Sequence, residues 1–442
     1  MRTVVMGAGR SGLAVARYLA SRGLPVVLTD RRPDPGPDLE IDLAKAGIPG
    51  VWGDHPFALL DGCVELIISP GIPPTIPFVA EAITRGIEVI GEVELAHRLL
   101  RERANGSRVL AVTGTNGKST TTDLTAHLLK ASGIPSVACG NLGTPVIEAV
   151  QAAPSATVFV VELSSYQLQS MRSFHAEGAA FLNLTPDHLA RHGNMETYRK
   201  TKLRIFEGQT ATDLRVVPAA HPEWWEDAPG VGQTARFGWS ACEAWCDASG
   251  GMQLYGKPLL HRSELRIPGE HNVENALAAS LLATHAGATA ENLQAGLRSY
   301  PGLAHRMAFC GERGSVKAYN DSKGTNVDAT LTAIRALPGP LVLLLGGSDK
   351  GASYEPLRAA LVGKLRRLIF LGEAIPQLRR DLGDLPHEVV PAFDDAVRAA
   401  LSLAQVGDQV LLSPACASFD QFDNFEQRGD RFEALVRNWS RS

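Results

Sequence analysis

The stretch Thr113-Gly114-Thr115-Asn116-Gly117-Lys118-Ser119-Thr120 constrains this chain more than any other. It follows a buried-strand run over 108–113 and precedes a helical pattern over 119–132. Glycines in such a loop let backbone N–H groups converge on phosphate oxygens. Lys118 then neutralises the β- and γ-phosphates, and the Ser119 hydroxyl can ligate Mg²⁺. Val112 stands where the strict phosphate-loop pattern has its first glycine. A plain strand–helix turn has no need of the Lys-Ser-Thr ending, so the loop reads as a phosphate cradle in an α/β layer.

A second glycine turn, Gly7-Ala8-Gly9-Arg10-Ser11-Gly12, lies between a strand-like run at 3–6 and an apolar-periodic helix at 13–20. This is the dinucleotide-binding context, with Asp30 at the end of the next strand, where a ribose-binding acid sits. The turn itself requires only that a pyrophosphate approach a helix N-terminus. A nicotinamide dinucleotide meets that condition, and so does the diphosphate of UDP.

Strand and helix patterns alternate along the chain, which predicts parallel sheets and an α/β class. Three blocks emerge: a Rossmann-like N-terminal domain over 1–92, a central phosphate-loop domain over 93–298, and a Rossmann-like C-terminal domain over 299–442. Within the central block, turns and Trp residues from about 210 to 262 suggest an antiparallel insertion. Buried-strand runs at 341–345, 368–371 and 409–412 mark the third block.

Glu162 closes the apolar strand VFVVE beyond the phosphate loop, where a Mg²⁺ ligand belongs. The alternative is a helix cap shared with Ser164 and Ser165. His188, in LNLTPDHLARHG, can reach the same mouth, although a single His is as readily an ordinary polar residue.

The formal charge of −4, from 43 basic and 47 acidic residues without blocks of like sign, speaks against nucleic acid as a partner. No apolar run approaches the ~20 residues of a membrane span, and no secretory core opens the chain. Six cysteines in 442 residues do not make a disulfide scaffold. The Cys242/Cys246 spacing lacks a second ligand pair for zinc. A reducing, cytoplasmic setting is expected.

Together the motifs resemble the Mur ligases of peptidoglycan synthesis. The resemblance is carried by TGTNGKST, GNLG at 140–143, VELSSYQL at 161–168, TPDHLARHG at 185–193, YRKTKLRIF at 198–206, GEHNVENALAA at 269–279, AHR at 304–306, NDSKGTN at 320–326 and LLSPACASFDQFDNFEQRG at 411–429. GAGRSG and SPGIP at 69–73 extend it to the N-terminal block. It implies an ATP-dependent, amide-bond-forming ligase that adds D-glutamate to UDP-N-acetylmuramoyl-L-alanine through an acyl phosphate. Cell-wall biogenesis, cell shape and division depend on that product, and a monomer is expected.

The resemblance also implies roles. Residues Gly114 to Thr120 hold the ATP phosphates, with Asn272 and Asn275 on adenine and Arg306 and Asp321 on ATP from the third domain. Ser119, Glu162, His188 and Lys202 surround two Mg²⁺ ions, with Lys202 carrying a carbamate. Lys118, His188 and Lys202 form the catalytic set. Ser11, Asp30, Arg31, Ser69 and Gly71 surround UDP, and Asn141 touches the muramoyl group. Lys323, Thr325, Lys350, Ser418 and Phe425 line the D-glutamate site. Close relatives often carry Asp-Thr-Arg at the uracil edge, where this chain has Thr29-Asp30-Arg31-Arg32.

Three rivals are weighed against this. A nicotinamide oxidoreductase leaves GTNGKST idle, and a regulatory ATPase leaves SPACASFDQF unexplained. Sister ligases, including folylpolyglutamate synthetase, share the loop, the Glu and the Lys, but NDSKGTN and SPACASFDQF favour the D-glutamate enzyme.

Overall fold

The computed structural model describes residues 1–348, 351 and 353–441. By contacts the chain forms two compact units: Met1–Arg262 with Glu274–Leu297, and Ser263–Val273 with Arg298–Ser442.

The first unit begins with β1 (Arg2–Met6), β2 (Val26–Asp30), β3 (Gly50–Trp52), β4 (Cys63–Ile68) and β5 (Glu88–Gly91). They pair in the order β3-β2-β1-β4-β5, every pair parallel. Strand order therefore reverses at β1, with β2 on one side and β4 on the other. Open parallel sheets bind ligands at such a switch point, beyond the carboxyl ends of the strands. The glycine turn follows β1, and Ser69 follows β4.

The central sheet contains β6 (Arg108–Thr113), β7 (Ser136–Gly140), β8 (Val158–Glu162), β9 (Gly178–Phe181), β10 (Leu214–Pro218), β11 (Gln233–Gly238), β12 (Ala244–Cys246), β13 (Gly251–Leu254) and β14 (Lys257–His261). Their order is β14-β13-β12-β11-β10-β9-β6-β8-β7. Every residue of β8 is buried, as expected of a parallel strand covered on both faces. β6 lies between β8 and β9, so the phosphate loop emerges between their ends.

The expected antiparallel insertion over 210–262 needs correction. β10, β11 and β12 continue the sheet in parallel, and only the β12–β13 and β13–β14 pairs are antiparallel. The reason lies in LRVVP, which is buried at every position and so serves as an interior strand rather than a hairpin arm. Cys246 sits in β12, and the Cys242 Sγ–H contacts the carbonyls of Arg236 and Ala244, so both are packing thiols outside any disulfide.

One apolar cluster joins the two sheets of this unit. Val5, Leu28 and Ile90 of the first share it with Val109, Phe159 and Val161 of the second. At about 25 cal/mol per Å² of apolar area, burial on this scale dominates the stability of the unit.

The second unit carries β15 (Ala308–Arg313), β16 (Val316–Asn320), β17 (Leu341–Gly346), β18 (Leu365–Leu371), β19 (His387–Val389) and β20 (Gln409–Leu412), in the order β15-β16-β20-β17-β18-β19. All pairs are parallel except β15 with β16. Among the described residues, no helix is long and apolar enough to cross a membrane.

Candidate functional site

At the N-terminal switch point Gly7 has φ +100°, a conformation open to glycine. The Gly12 Cα lies so near the Gly7 carbonyl that a side chain there would collide with it. Ser69 Oγ donates to the Gly7 carbonyl at 3.2 Å. Asp30 accepts from the Ala8 N–H at 2.5 Å, and its other oxygen takes the Arg32 N–H at 2.9 Å. Burial works against its ionisation, but these hydrogen bonds and the Arg32 charge outweigh it and hold its pKa below 3.8. Asp30 thus stays anionic while it braces the glycine turn. Ser11 lies in the first turn of the helix Arg10–Ser21, and Gly71 and the exposed Arg31 flank the same end of the sheet.

The phosphate loop is held from several sides. Gly114 and Gly117 have φ of +154° and +81°. The Thr115 N–H donates to the Asn183 carbonyl at 3.1 Å, and the Asn116 N–H to Asn183 Oδ1 at 2.8 Å. Lys118 Nζ lies on the loop's own carbonyls, 2.9 Å from Gly114 O and 2.7 Å from Thr115 O. Ser119 and Thr120 are buried in the first turn of the helix Lys118–Ala131. Thr121 Oγ1 donates to Asn275 Oδ1 at 3.2 Å, which brings Asn275 against the loop.

Glu162 ends β8 at 2% exposure. Its Oε1 accepts from Asn141 Nδ2 at 2.6 Å, while Oε2 is buried without a hydrogen-bond partner. Such an orphaned oxygen costs about 1–3 kcal/mol, a cost that persists in active sites awaiting a ligand. Ser164 does cap the helix Ser165–Gln169 in a capping box, but with Gln167; Glu162 takes no part in it.

Lys202, on the helix Met195–Leu203, is 1% exposed. Its Nζ donates to the Gly114 carbonyl at 2.7 Å and lies 4.6 Å from the centre of the Tyr198 ring. Burial, and then the Lys118 charge, lower its pKa well below 10.5, against the opposing pull of Asp187 and Glu162. The amine is therefore driven toward its neutral, nucleophilic form. His188 has φ +54°, unusual for a side-chain-bearing residue, and its Nδ1 lies 3.1 Å from the Tyr166 hydroxyl.

The second unit gathers another group. Asp321 follows β16 and accepts from Ser413 Oγ at 2.7 Å. Burial pushes its pKa up to about 7, against that hydrogen bond and the Arg306 charge. Lys323 Nζ lies 5.4 Å from the centre of the Phe425 ring, and the Thr325 N–H donates to the Lys323 carbonyl at 2.9 Å. Ser418 is buried. Asn272 belongs to this unit and donates from Nδ2 to the Pro268 carbonyl at 2.7 Å. Lys350 lies outside the described residues.

Among the described residues, Asp30 and Ser69 meet on the N-terminal turn, Lys118, Lys202 and Asn275 on the phosphate loop, Glu162 pairs with Asn141 and Lys323 with Phe425, while His188 contacts Tyr166 and Asn272 contacts Pro268. Asn183, Tyr166, Arg191 and Arg428 also contact these residues or the segments that bear them, and the motifs do not single them out. For Asn183 a signal existed, since it is a polar residue just beyond the buried strand β9. Tyr166, Arg191 and Arg428 lie within VELSSYQL, TPDHLARHG and LLSPACASFDQFDNFEQRG, but the contacts they make are tertiary and local pattern does not give them.

Comparison with known proteins covers most of the chain. Residues 1–91 match the model for the Mur ligase MurD-like N-terminal domain, 112–283 the Mur ligase middle domain, and 305–416 the Mur ligase glutamate ligase domain. The UDP-N-acetylmuramoylalanine–D-glutamate ligase of Alkaliphilus metalliredigens is 37% identical, covering 100% of this chain and 99% of that protein. Its namesake from Solibacter usitatus is 39% identical, over 99% and 97%. Among solved structures, the UDP-N-acetylmuramate-alanine ligase of Thermotoga maritima superposes with a TM-score of 0.61 at 18% identity, covering both chains fully at 100%. The MurF ligase of Thermotoga maritima in complex with ADP gives 0.61 at 16% identity, over 94% and 95%. At such identities these structures speak to the fold alone.

Proposed function

The chain belongs to the Mur ligase family, and we propose that it uses ATP to join D-glutamate to UDP-N-acetylmuramoyl-L-alanine, a cytoplasmic step toward peptidoglycan. Support for the amino acid comes from whole-length relatives that bear that name. The observation that carries the chemistry is the buried Lys202, whose Nζ donates to the Gly114 carbonyl of the phosphate loop, together with the orphaned Glu162 oxygen.

In this reading the alanyl carboxylate oxygen attacks the γ-phosphorus of ATP. The bond from that phosphorus to the bridging oxygen breaks, and ADP leaves. The D-glutamate amine then attacks the acyl phosphate, inorganic phosphate departs, and an amide remains. Residues 114–120 hold the phosphates, and Lys118 exchanges its contacts with Gly114 O and Thr115 O for phosphate oxygens. Asn272 and Asn275 take adenine, and Arg306 and Asp321 take ATP. Ser11, Asp30, Arg31, Ser69 and Gly71 hold UDP, and Asn141 orients the muramoyl arm. Lys323, Thr325, Ser418, Phe425 and Lys350 receive D-glutamate.

The donor set fits Mg²⁺, which takes oxygen ligands. Ser119 Oγ and the orphaned Glu162 Oε2 would supply oxygens, and His188 would complete the set. In its neutral form the Lys202 amine can add to CO₂, forming a C–N bond with loss of a proton, and so offer an anionic oxygen as well. Two Mg²⁺ ions held there would supply charge neutralisation between the carboxylate and the triphosphate.

The test is phosphate release with UDP-N-acetylmuramoyl-L-alanine and a panel of amino acids. Turnover confined to D-glutamate is expected. Preference for L-alanine, L-lysine or diaminopimelate would assign the chain to a sister reaction. Titration with UDP and NADH separates the readings of the N-terminal turn, and tight NADH binding that UDP does not displace would refute the UDP assignment.

A further inference from the structure

The SPGIP segment at 69–73 belongs to the N-terminal sheet, and the loop bearing His188 belongs to the central one. One side chain joins them. Arg191 Nη2 donates to the Ile72 carbonyl at 2.8 Å, while its Nε donates to Gln169 Oε1 at 3.1 Å. Its guanidinium carbon lies 5.0 Å from the centre of the Tyr166 ring. The Tyr166 hydroxyl in turn sits 3.1 Å from His188 Nδ1. Arg191 also shares a short helix, Leu189–His192, whose turn closes from the Arg191 N–H to the His188 carbonyl at 2.9 Å.

Each contact uses a different property of arginine. The planar fork makes two directed hydrogen bonds, and the flat cation stacks on an aromatic face, which lysine does less well. Burial costs this guanidinium some of its basicity, offset only in part by Tyr166. Among the described residues none of its hydrogen bonds is to a carboxylate, so a salt bridge does not explain its place.

We propose that Arg191 is a positioning residue that sets the span between the UDP-binding turn and His188. This rests on the function proposed above, in which one extended substrate has its diphosphate at Ser69 and Gly71 and its reacting end near His188. Such a substrate gains from a fixed distance between its two anchor points, because a misplaced reacting group loses the benefit of orientation. Arg191 fixes that distance by holding the turn through a backbone carbonyl and the imidazole through Tyr166. Neither end depends on the identity of the side chain at Ile72.

The experiment is calorimetric binding to full-length protein of two ligands, UDP alone and UDP-N-acetylmuramoyl-L-alanine, alongside steady-state kinetics. Arg191→Met keeps length and apolar bulk but loses fork and charge. UDP alone should bind this variant within about twofold of wild type, whereas the full substrate should lose roughly tenfold, the worth of one or two hydrogen bonds. KM for ATP should stay within about twofold. Tyr166→Phe keeps the stacked ring and loses the hydroxyl, so it should lower kcat and leave substrate affinity intact. Equal losses for both ligands would reduce Arg191 to a local prop of the turn, and no loss for either would overturn its role outright. If wild type binds the substrate but does not turn over with D-glutamate, only the amino-acid assignment fails. If wild type does not bind the UDP-linked substrate, this inference falls with the UDP assignment.

Discussion

Lys202 and Lys118 share one acceptor: the Gly114 carbonyl lies 2.7 Å from the first ammonium nitrogen and 2.9 Å from the second. Two cations on one carbonyl repel, and Lys202 is the more buried of the two, so burial and the Lys118 charge together lower its pKa well below 10.5.

That asymmetry predicts the effect of Lys202→Ala. Turnover should fall by at least about 100-fold, the range general acid–base and metal-ligand losses span. Formate or acetate should restore part of it by supplying the missing anionic oxygen. Removing CO₂ from wild-type buffer should lower activity reversibly. Near-normal turnover by the variant in CO₂-depleted buffer would reduce Lys202 to a packing residue.

Gly117→Ala tests the loop itself. The position has φ +81°, and an added Cβ would strike Asn275 Oδ1. The left-handed backbone alone costs alanine about 1–2 kcal/mol. Displacement of Asn275 should add a rise in the KM for ATP of roughly tenfold, a loss of about 1.4 kcal/mol of binding. Thermal unfolding and ATP kinetics on the same sample separate the two effects. An unchanged KM would detach Asn275 from the nucleotide.

Much of this was legible in the sequence because the informative residues sit at strand ends. VFVVE and TGTNGKST announce a buried strand and the loop beside it, and the structure has β6 ending at Thr113 and β8 at Glu162. The antiparallel pattern expected over 210–262 fails because LRVVP is short and its partner β9 lies more than thirty residues upstream, at Gly178–Phe181. Local pattern gives no clue to such pairing. The Arg191–Ile72 contact, 119 residues apart in sequence, was hidden for the same reason.

Glu92 gives the first unit a pH-dependent stability. It is buried at the start of the helix Glu92–Arg103, its Oε1 takes the Ile147 N–H at 2.7 Å, and Oε2 is orphaned. Burial raises its pKa from 4.5 to about 7, against the Ile147 and Val146 N–H groups and with help from Glu148. The folded value exceeds the unfolded one. Its contribution is therefore fully present below pH 4.5 and lost as pH rises through about 7, an effect of at most about 3 kcal/mol. Asp321, also raised to about 7, adds a similar trend in the second unit. Denaturant unfolding of Glu92→Gln should show a smaller stability loss between pH 5 and 8 than wild type. Parallel pH profiles for the two proteins would refute it.

The last prediction concerns Arg428, on the helix Phe425–Arg441, which is 1% exposed. Its Nε donates to Ser322 Oγ at 3.0 Å, and Nη2 donates to Ser322 O at 2.8 Å and Cys416 O at 3.1 Å. Nη1 donates to Ala417 O at 3.0 Å. All these acceptors are neutral, and burial brings its pKa down to about 10. A buried cation held this way is costly, so its worth lies in what it fixes: the segments bearing Lys323 and Ser418, beside the proposed D-glutamate site. Arg428→Lys keeps the charge but cannot reach all of these oxygens at once. It should raise the KM for D-glutamate about tenfold, leave that for ATP within about twofold, and cost about 1–3 kcal/mol of stability. Arg428→Leu leaves the Ser322, Cys416 and Ala417 carbonyls without this donor in a dry site and should cost more than the Lys variant. Calorimetric unfolding confirms that the Lys variant is folded before its kinetics are read. Equal shifts in the two KM values would show that Arg428 holds the unit together without shaping the amino-acid pocket.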